Sequence, residues 1–193
     1  NYHGLGNFFL NEEIIFTKKK YFLFIGGRNN YKNYDLLIET FAQISNKYKE
    51  WKLLVVGENK NTFKEEQNKY RKLGIENSVI DKGLISEKKI IQLLKEASAL
   101  VIPSLNEGFN FPLLEGLALG CPVLSSKIPV SKEIGRDYVT YFNNDKKSLY
   151  DCLKDNILNE IDKNNLIRSQ KYARRFNWQN SFNNLLKVYE SCH

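Results

Sequence analysis

"YFLFIGGRNNYKNYDLLIETFAQISNKYKEWKLLVVG", residues 21–57, holds two continuous apolar runs, each closed by glycine, with an amphipathic segment between them. An apolar run without polar alternation reads as a strand buried on both faces, the habit of parallel sheets. Between the runs Leu37, Phe41, Ile44 and Tyr48 recur at helical spacing, and Asn33 suits the N-cap. Strand, helix and strand in this order make a βαβ unit, which implies a parallel sheet.

The pattern repeats outward. Residues 61–74 read as a helix stopped by Gly74, 78–83 as a short strand, and 86–97 as a helix capped by Ser86 with Ile90, Leu93 and Leu94 inward. "SALVIPS", 98–104, is another buried strand. "PLLEGLALG", 112–120, is a short helix with Pro112 at its first position and Gly120 at its stop. Strands are expected at 121–126 and 137–142, joined by a loop. Helices are expected at 147–158, 164–176 and 177–192, the last with Trp178, Phe182, Leu185, Leu186 and Tyr189 on one face. The expected fold class is α/β, a Rossmann-like doubly wound parallel sheet with C-terminal helices. Residues 1–20 read as a lead-in from a missing N-terminal domain, 21–175 as the Rossmann-like domain and 176–193 as a C-terminal helix.

Composition narrows the class. The chain has 193 residues, 42% hydrophobic and 13% aromatic, enough for a substantial core. No apolar run approaches the roughly 18 residues of a membrane span, and no signal-peptide pattern opens the chain. Methionine is absent, even at position 1, so the chain is expected to start inside a longer reading frame. The net charge of +7 comes mainly from scattered lysines, which suit solvated faces and also favour polyanions or an anionic membrane surface. Cys121, Cys152 and Cys192 are odd in number and far apart, which fits a reduced, cytoplasmic compartment. His3 and His193 are the only histidines, both near termini, and neither convinces as a general base.

In open parallel sheets, ligands sit beyond the carboxyl ends of the strands. That rule singles out three loops: 26–33, 82–86 and 104–111. The first carries Gly26 and Gly27 for close backbone approach, and Arg28 and Lys32 as cations for phosphate. Alone it reads equally as a tight turn with two surface cations. It is neither a Walker A loop nor a G-x-G-x-x-G. In the third loop, Asn110 and Phe111 lead into Pro112, and the amides of Phe111, Leu113 and Leu114 are expected to face an anion at the helix N-terminus. Glu107 lies before that helix and Glu115 one turn inside it. Each also has a plain reading, a solvated loop acid and a first-turn acid favoured by the helix dipole.

Together these features resemble the C-terminal, donor-binding half of a GT-B retaining glycosyltransferase of the group 1, or family 4, type, which includes bacterial mannosyltransferases. The resemblance runs through "FLFIGGRNNYKNYDLLIETF", "LLVVG", "KGLISEKKIIQLLKEASALVIPSLNEGFNFPLLEGLALGCPVLSS" and "RRFNWQNSFNNLLKVY" in order. The pair Glu107 and Glu115, separated by seven residues, matches the family's signature. The resemblance implies that Arg28 and Lys32, beside Gly27, neutralise the diphosphate of a nucleotide sugar. Glu107 would meet the sugar, with Gly108, Phe109, Asn110 and Phe111 bracketing sugar and phosphates. Glu115 would accept from the ribose, and Leu84 and Ile85 would meet the base. No cofactor and no metal is expected, since the chain has no D-x-D. The implied partners are a nucleotide sugar and a glycan or lipid-linked acceptor, with a peripheral membrane contact by analogy and no nucleic acid.

The chain departs from the family at Asn110, where glycine is usual, at Lys132 before Glu133, where proline is common, and at Gly116, where alanine is commoner. It also lacks the first of the two domains of a whole enzyme, so this chain alone is expected to bind donor weakly and transfer nothing. Two other readings stand beside this one: a nucleotide-sugar epimerase or phosphorylase half, and a non-enzymatic nucleotide or polyanion binder.

Overall fold

The computed structural model describes residues 2–28, 30–58 and 63–191, with Asn7 and Phe63 described by backbone alone. Cys192, His193 and the expected helix start at 61–62 lie outside the described residues. The elements run in chain order: α1 (Asn7–Leu10), β1 (Lys19–Ile25), α2 (Tyr34–Lys47), β2 (Lys52–Val56), α3 (Phe63–Leu73), β3 (Val79–Gly83), α4 (Glu87–Glu96), β4 (Ala97–Ile102), α5 (Phe111–Ala118), β5 (Val123–Ser126), α6 (Pro129–Gly135), β6 (Thr140–Phe142), α7 (Lys146–Leu158), α8 (Lys163–Ala173) and α9 (Trp178–Glu190). The strands form one parallel sheet in the order β3-β2-β1-β4-β5-β6. The direction of winding reverses between β1 and β4, and that switch point is where such sheets open a ligand crevice.

Both faces of the sheet are covered, and the alternation of side chains decides which core each residue joins. Phe22, Phe24, Leu53, Val55, Ala99 and Val101 pack under α2 and α7. Tyr21, Leu23, Leu54, Val56, Leu100 and Ile102 pack on the opposite face with α5 and α8. This period of two explains why the central strands β1, β2 and β4 read as apolar runs: their inner residues are buried on both faces. Burying one such phenylalanine stabilises the fold by about 2–3 kcal/mol.

Several expectations are corrected. The segment between β5 and β6, read as a loop, contains α6. Its seven residues bury only Ser131, Ile134 and Gly135, so the sequence carries almost no helical period. Pro112 is the second residue of α5, because the helix opens on Phe111 with Asn110 as N-cap. Asn33 and Ser86 occupy N-cap positions, but neither side chain caps; Asn33 instead takes a left-handed backbone at φ 51°. Side-chain caps come from Asp145, Asp162 and Asn177.

The two chain ends meet. Residues 2–18, read as a lead-in, pack on the sheet unit: Leu5 and Phe9 join its core, and the Leu5 N–H donates to the Phe176 carbonyl at 2.7 Å. The α9 helix leaves this crossing with no buried residue. Its apolar face is present as expected, but Trp178, Phe182, Leu185, Leu186 and Tyr189 are all exposed.

Candidate donor site

The switch-point crevice is shaped first by glycines. The Gly57 backbone at φ +132° passes so close to β1 that a Cβ there would lie 2.3 Å from the Gly26 carbonyl oxygen. Only glycine allows that approach. Gly26 in turn lies against the Lys32 stem, 3.4 Å from where its own Cβ would stand to Lys32 Cε. Gly27 follows, half-buried, in the loop that leaves β1.

Lys32 ends a short 3₁₀ turn, Asn30–Lys32. Its ammonium reaches across the crevice to Glu107 Oε1 at 2.7 Å, with side chains 12% and 9% exposed. The same carboxylate oxygen accepts a hydrogen bond from Ser104 Oγ at 2.7 Å. The Leu105 N–H donates to the Tyr31 carbonyl at 2.7 Å, stitching the two loops together. The loops after β1 and β4 thus meet, as their chemistry suggested.

Arg28 is placed differently from the expectation of a phosphate ligand at the mouth. Its side chain is 2% exposed and turned toward β2 and β3. Nε lies 3.0 Å from Glu66 of α3, an ion pair without hydrogen-bond alignment, and NH2 pairs with Asp81 of β3. NH1 donates to the Gly57 carbonyl at 3.3 Å. Two converging carboxylates outbid a turn toward solvent. Burial is the largest single effect on the guanidinium and pulls its pKa down, but Glu66 and Asp81 together hold it above the ordinary value. Glu66 also accepts from Tyr70 OH at 2.6 Å, and Tyr70 bonds Tyr34 at 2.8 Å. Glu66, Asp81 and Ser104 were not singled out in the sequence. Ser104 lay in the loop 104–111 that was singled out, without a role of its own, and Asp81 stood one residue before the loop 82–86.

Beyond Glu107 the chain makes a compact loop into α5. Asn110 is buried in a left-handed conformation at φ 63°, its Nδ2 donating to Ser131 Oγ of α6 at 3.0 Å. Ser131 Oγ also accepts from Ser125 Oγ of β5 at 3.1 Å. The expected amide set is smaller than the sequence suggested. Leu113 and Leu114 donate to the Asn110 carbonyl at 3.1 and 3.4 Å, which leaves Phe111 as the member outside the first helical turn's own bonds. Gly108 precedes Phe109, whose ring does find packing: Phe111 at 5.0 Å, His3 at 5.1 Å and Phe176 at 6.4 Å.

Glu115 projects from α5 toward the start of α4. Burial, and next the charge of Glu87, push its carboxyl up to about 7. The loop that opens α4 brings Leu84, largely exposed, and Ile85, partly packed on the core. The crevice therefore carries a buried cation paired with a carboxylate, and Glu115 lies within electrostatic reach of Glu87 at the start of α4.

Residues 8–176 match the family model described as glycosyl transferases group 1. The chain belongs to this family. Among its relatives, the O-antigen chain mannosyltransferase RfbU of Salmonella typhimurium is 30% identical over 84% of this chain and 45% of its own length. In fold the chain is similar to a lipopolysaccharide outer core galactosyltransferase, WaaB, with TM-score 0.75 and 24% identity over 94% of this chain and 53% of that one. It is also similar to Anabaena HepE solved with UDP and glucose, with TM-score 0.75 and 18% identity over 90% of this chain and 49% of that one. The chain spans about half the length of the curated relatives it matches. Among the described residues no helix is long and apolar enough to cross a membrane.

Proposed function

We propose that this chain is the donor-binding half of a retaining glycosyltransferase that moves a hexose from a nucleotide-diphosphate sugar to a glycan or lipid-linked acceptor in polysaccharide synthesis. The observation that carries the reading is the meeting of Lys32 and Glu107 across the β1/β4 crevice, a cation for phosphate beside an acceptor for hydroxyls. The fold likeness to a protein solved with UDP and glucose supports it.

In this reading the diphosphate lies between Lys32 and the Phe111 amide, the sugar against Glu107 and the backbone of Gly108 to Asn110, the ribose at Glu115 and the base near Leu84 and Ile85. When the anomeric carbon–oxygen bond breaks, its electron pair goes to the diphosphate oxygen. A fixed ammonium and amide stabilise that growing charge more than the bound ground state, which lowers the barrier. Lys32 does the work that a divalent metal does in enzymes with a D-x-D. Arg28 acts as a positioning residue, locking the loops after β1, β2 and β3 behind Lys32.

The test is calorimetric titration of the chain with uridine, guanosine and adenosine diphosphates, then with their hexose conjugates. Saturable binding of one base series supports the reading. No binding of any series overturns it.

A further inference from the structure

A diphosphate that reaches Lys32 meets a cation already matched to Glu107 at 2.7 Å, with both side chains about nine-tenths buried. An ammonium has three donors and can touch both anions at once. Two anions sharing one partly desolvated cation still repel each other, and the low-dielectric surroundings strengthen that repulsion. The repulsion is worst for a nucleoside diphosphate, whose terminal phosphate carries nearly two charges at neutral pH. A nucleotide sugar has no terminal phosphate, and its hydroxyls offer Glu107 hydrogen bonds to replace those it gives up. The carboxylate is already served by Ser104 Oγ, so it can turn from Lys32 without losing every donor.

We propose that Glu107 is a specificity-determining residue that makes this site prefer the sugar-loaded donor to the spent nucleoside diphosphate, by holding Lys32 unless a sugar draws its carboxylate away. The inference rests on the donor-site reading above and gives Glu107 a second task. Besides accepting from the sugar, it recaptures Lys32 once the sugar has left and so expels the spent nucleotide. The class of ligand excluded is the free nucleoside diphosphate, and the class admitted is its glycosyl ester.

The signature is a pair of effects of opposite sign from one substitution. Glu107→Gln keeps the shape and removes the charge. Titrated with the nucleoside diphosphate of whichever series the chain binds, this variant is expected to bind about tenfold tighter, the worth of freeing one charge-assisted hydrogen bond. Titrated with the matching hexose conjugate, it is expected to bind about tenfold more weakly. In a Lys32→Gln background the gain for the nucleoside diphosphate must shrink to the part owed to direct repulsion between Glu107 and phosphate, since there is no cation to free. Thermal melts of all variants show that each is folded at the titration temperature. Opposite signs with a smaller gain in the double variant support the proposal, and an undiminished gain there overturns it. An unchanged or weakened nucleoside diphosphate affinity in Glu107→Gln overturns it while leaving the donor site standing. If the parent chain binds neither ligand, both the proposal and the donor-site reading fall.

Discussion

The Arg28 guanidinium lies 3.0 Å from the Glu66 carboxylate, and their side chains are 2% and 5% exposed. With Asp81 on the other side, one cation holds two carboxylates from different elements. Removing it leaves both without their counter-charge. Arg28→Ala is therefore expected to destabilise the fold by about 3–5 kcal/mol, read as a fall in the urea midpoint. Arg28→Lys is expected to recover little of this, since a single ammonium cannot replace a planar fork that serves Asp81 and the Gly57 carbonyl. A near-neutral Arg28→Ala would show that the cluster does not lock the loops.

Gly57 makes a second stability prediction, of backbone origin. Its φ of +132° is strained for any L side chain, and the added Cβ would meet the Gly26 carbonyl rather than a side chain that can swing away. Gly57→Ala is expected to cost at least about 2 kcal/mol. Gly74→Ala has open space around it and meets only the penalty of its φ of +68°, so it should cost less. Denaturation of the two variants side by side checks the order.

Glu115 makes the fold sensitive to pH. Its carboxyl is pushed up to about 7 from an ordinary value of 4.5, so folding favours the protonated form. The contribution is fully present below about 4.5 and is lost as pH rises through 7. Stability of the parent chain should fall across that window by on the order of 3 kcal/mol, and Glu115→Gln should flatten the fall. Binding runs the other way. The ionised carboxylate is the better acceptor for ribose hydroxyls, so affinity for a nucleotide sugar should rise several-fold between pH 6 and 8. A nucleotide sugar is the proper probe because a terminal phosphate titrates near 6 itself.

Transfer should be absent from this chain. Every ligand contact proposed here is with the donor, and the chain spans about half the length of its curated relatives. Incubation with the nucleotide hexose that binds, and with candidate glycan acceptors, is expected to leave the donor intact. Measurable glycosylation would show that the chain carries its own acceptor site.

The sheet was legible because burial on both faces leaves a plain mark: Phe22 to Phe24 and Leu53 to Val56 have no polar residue to interrupt them. Helix α6 was not, because a two-turn helix with Ser131 and Ile134 as its inward residues has too little apolar period to be seen. In the site, residue types at strand ends were enough to bring Lys32 and Glu107 to one crevice. They could not show that Arg28 turns away, since Glu66 is 38 positions distant in sequence and sits in the first turn of α3 with nothing local to mark it. Pairing between distant charges is a product of the fold, not of a motif. Asn110 was noticed as a departure from the family, but its link to Ser131 depended on the helix that was missed.

The most direct test of the donor site follows backbone amide shifts of the isotope-labelled chain during titration with uridine, guanosine and adenosine diphosphate hexoses. One base series should move amides in three segments together: 26–33, 84–86 and 107–115. A competing location exists at the opposite end of the sheet, a cavity of about 330 Å³ lined by Pro122, Tyr138, Cys152 and Leu166. Shifts centred on that cavity, or none in the three segments with any series, would contradict a donor site at the switch point.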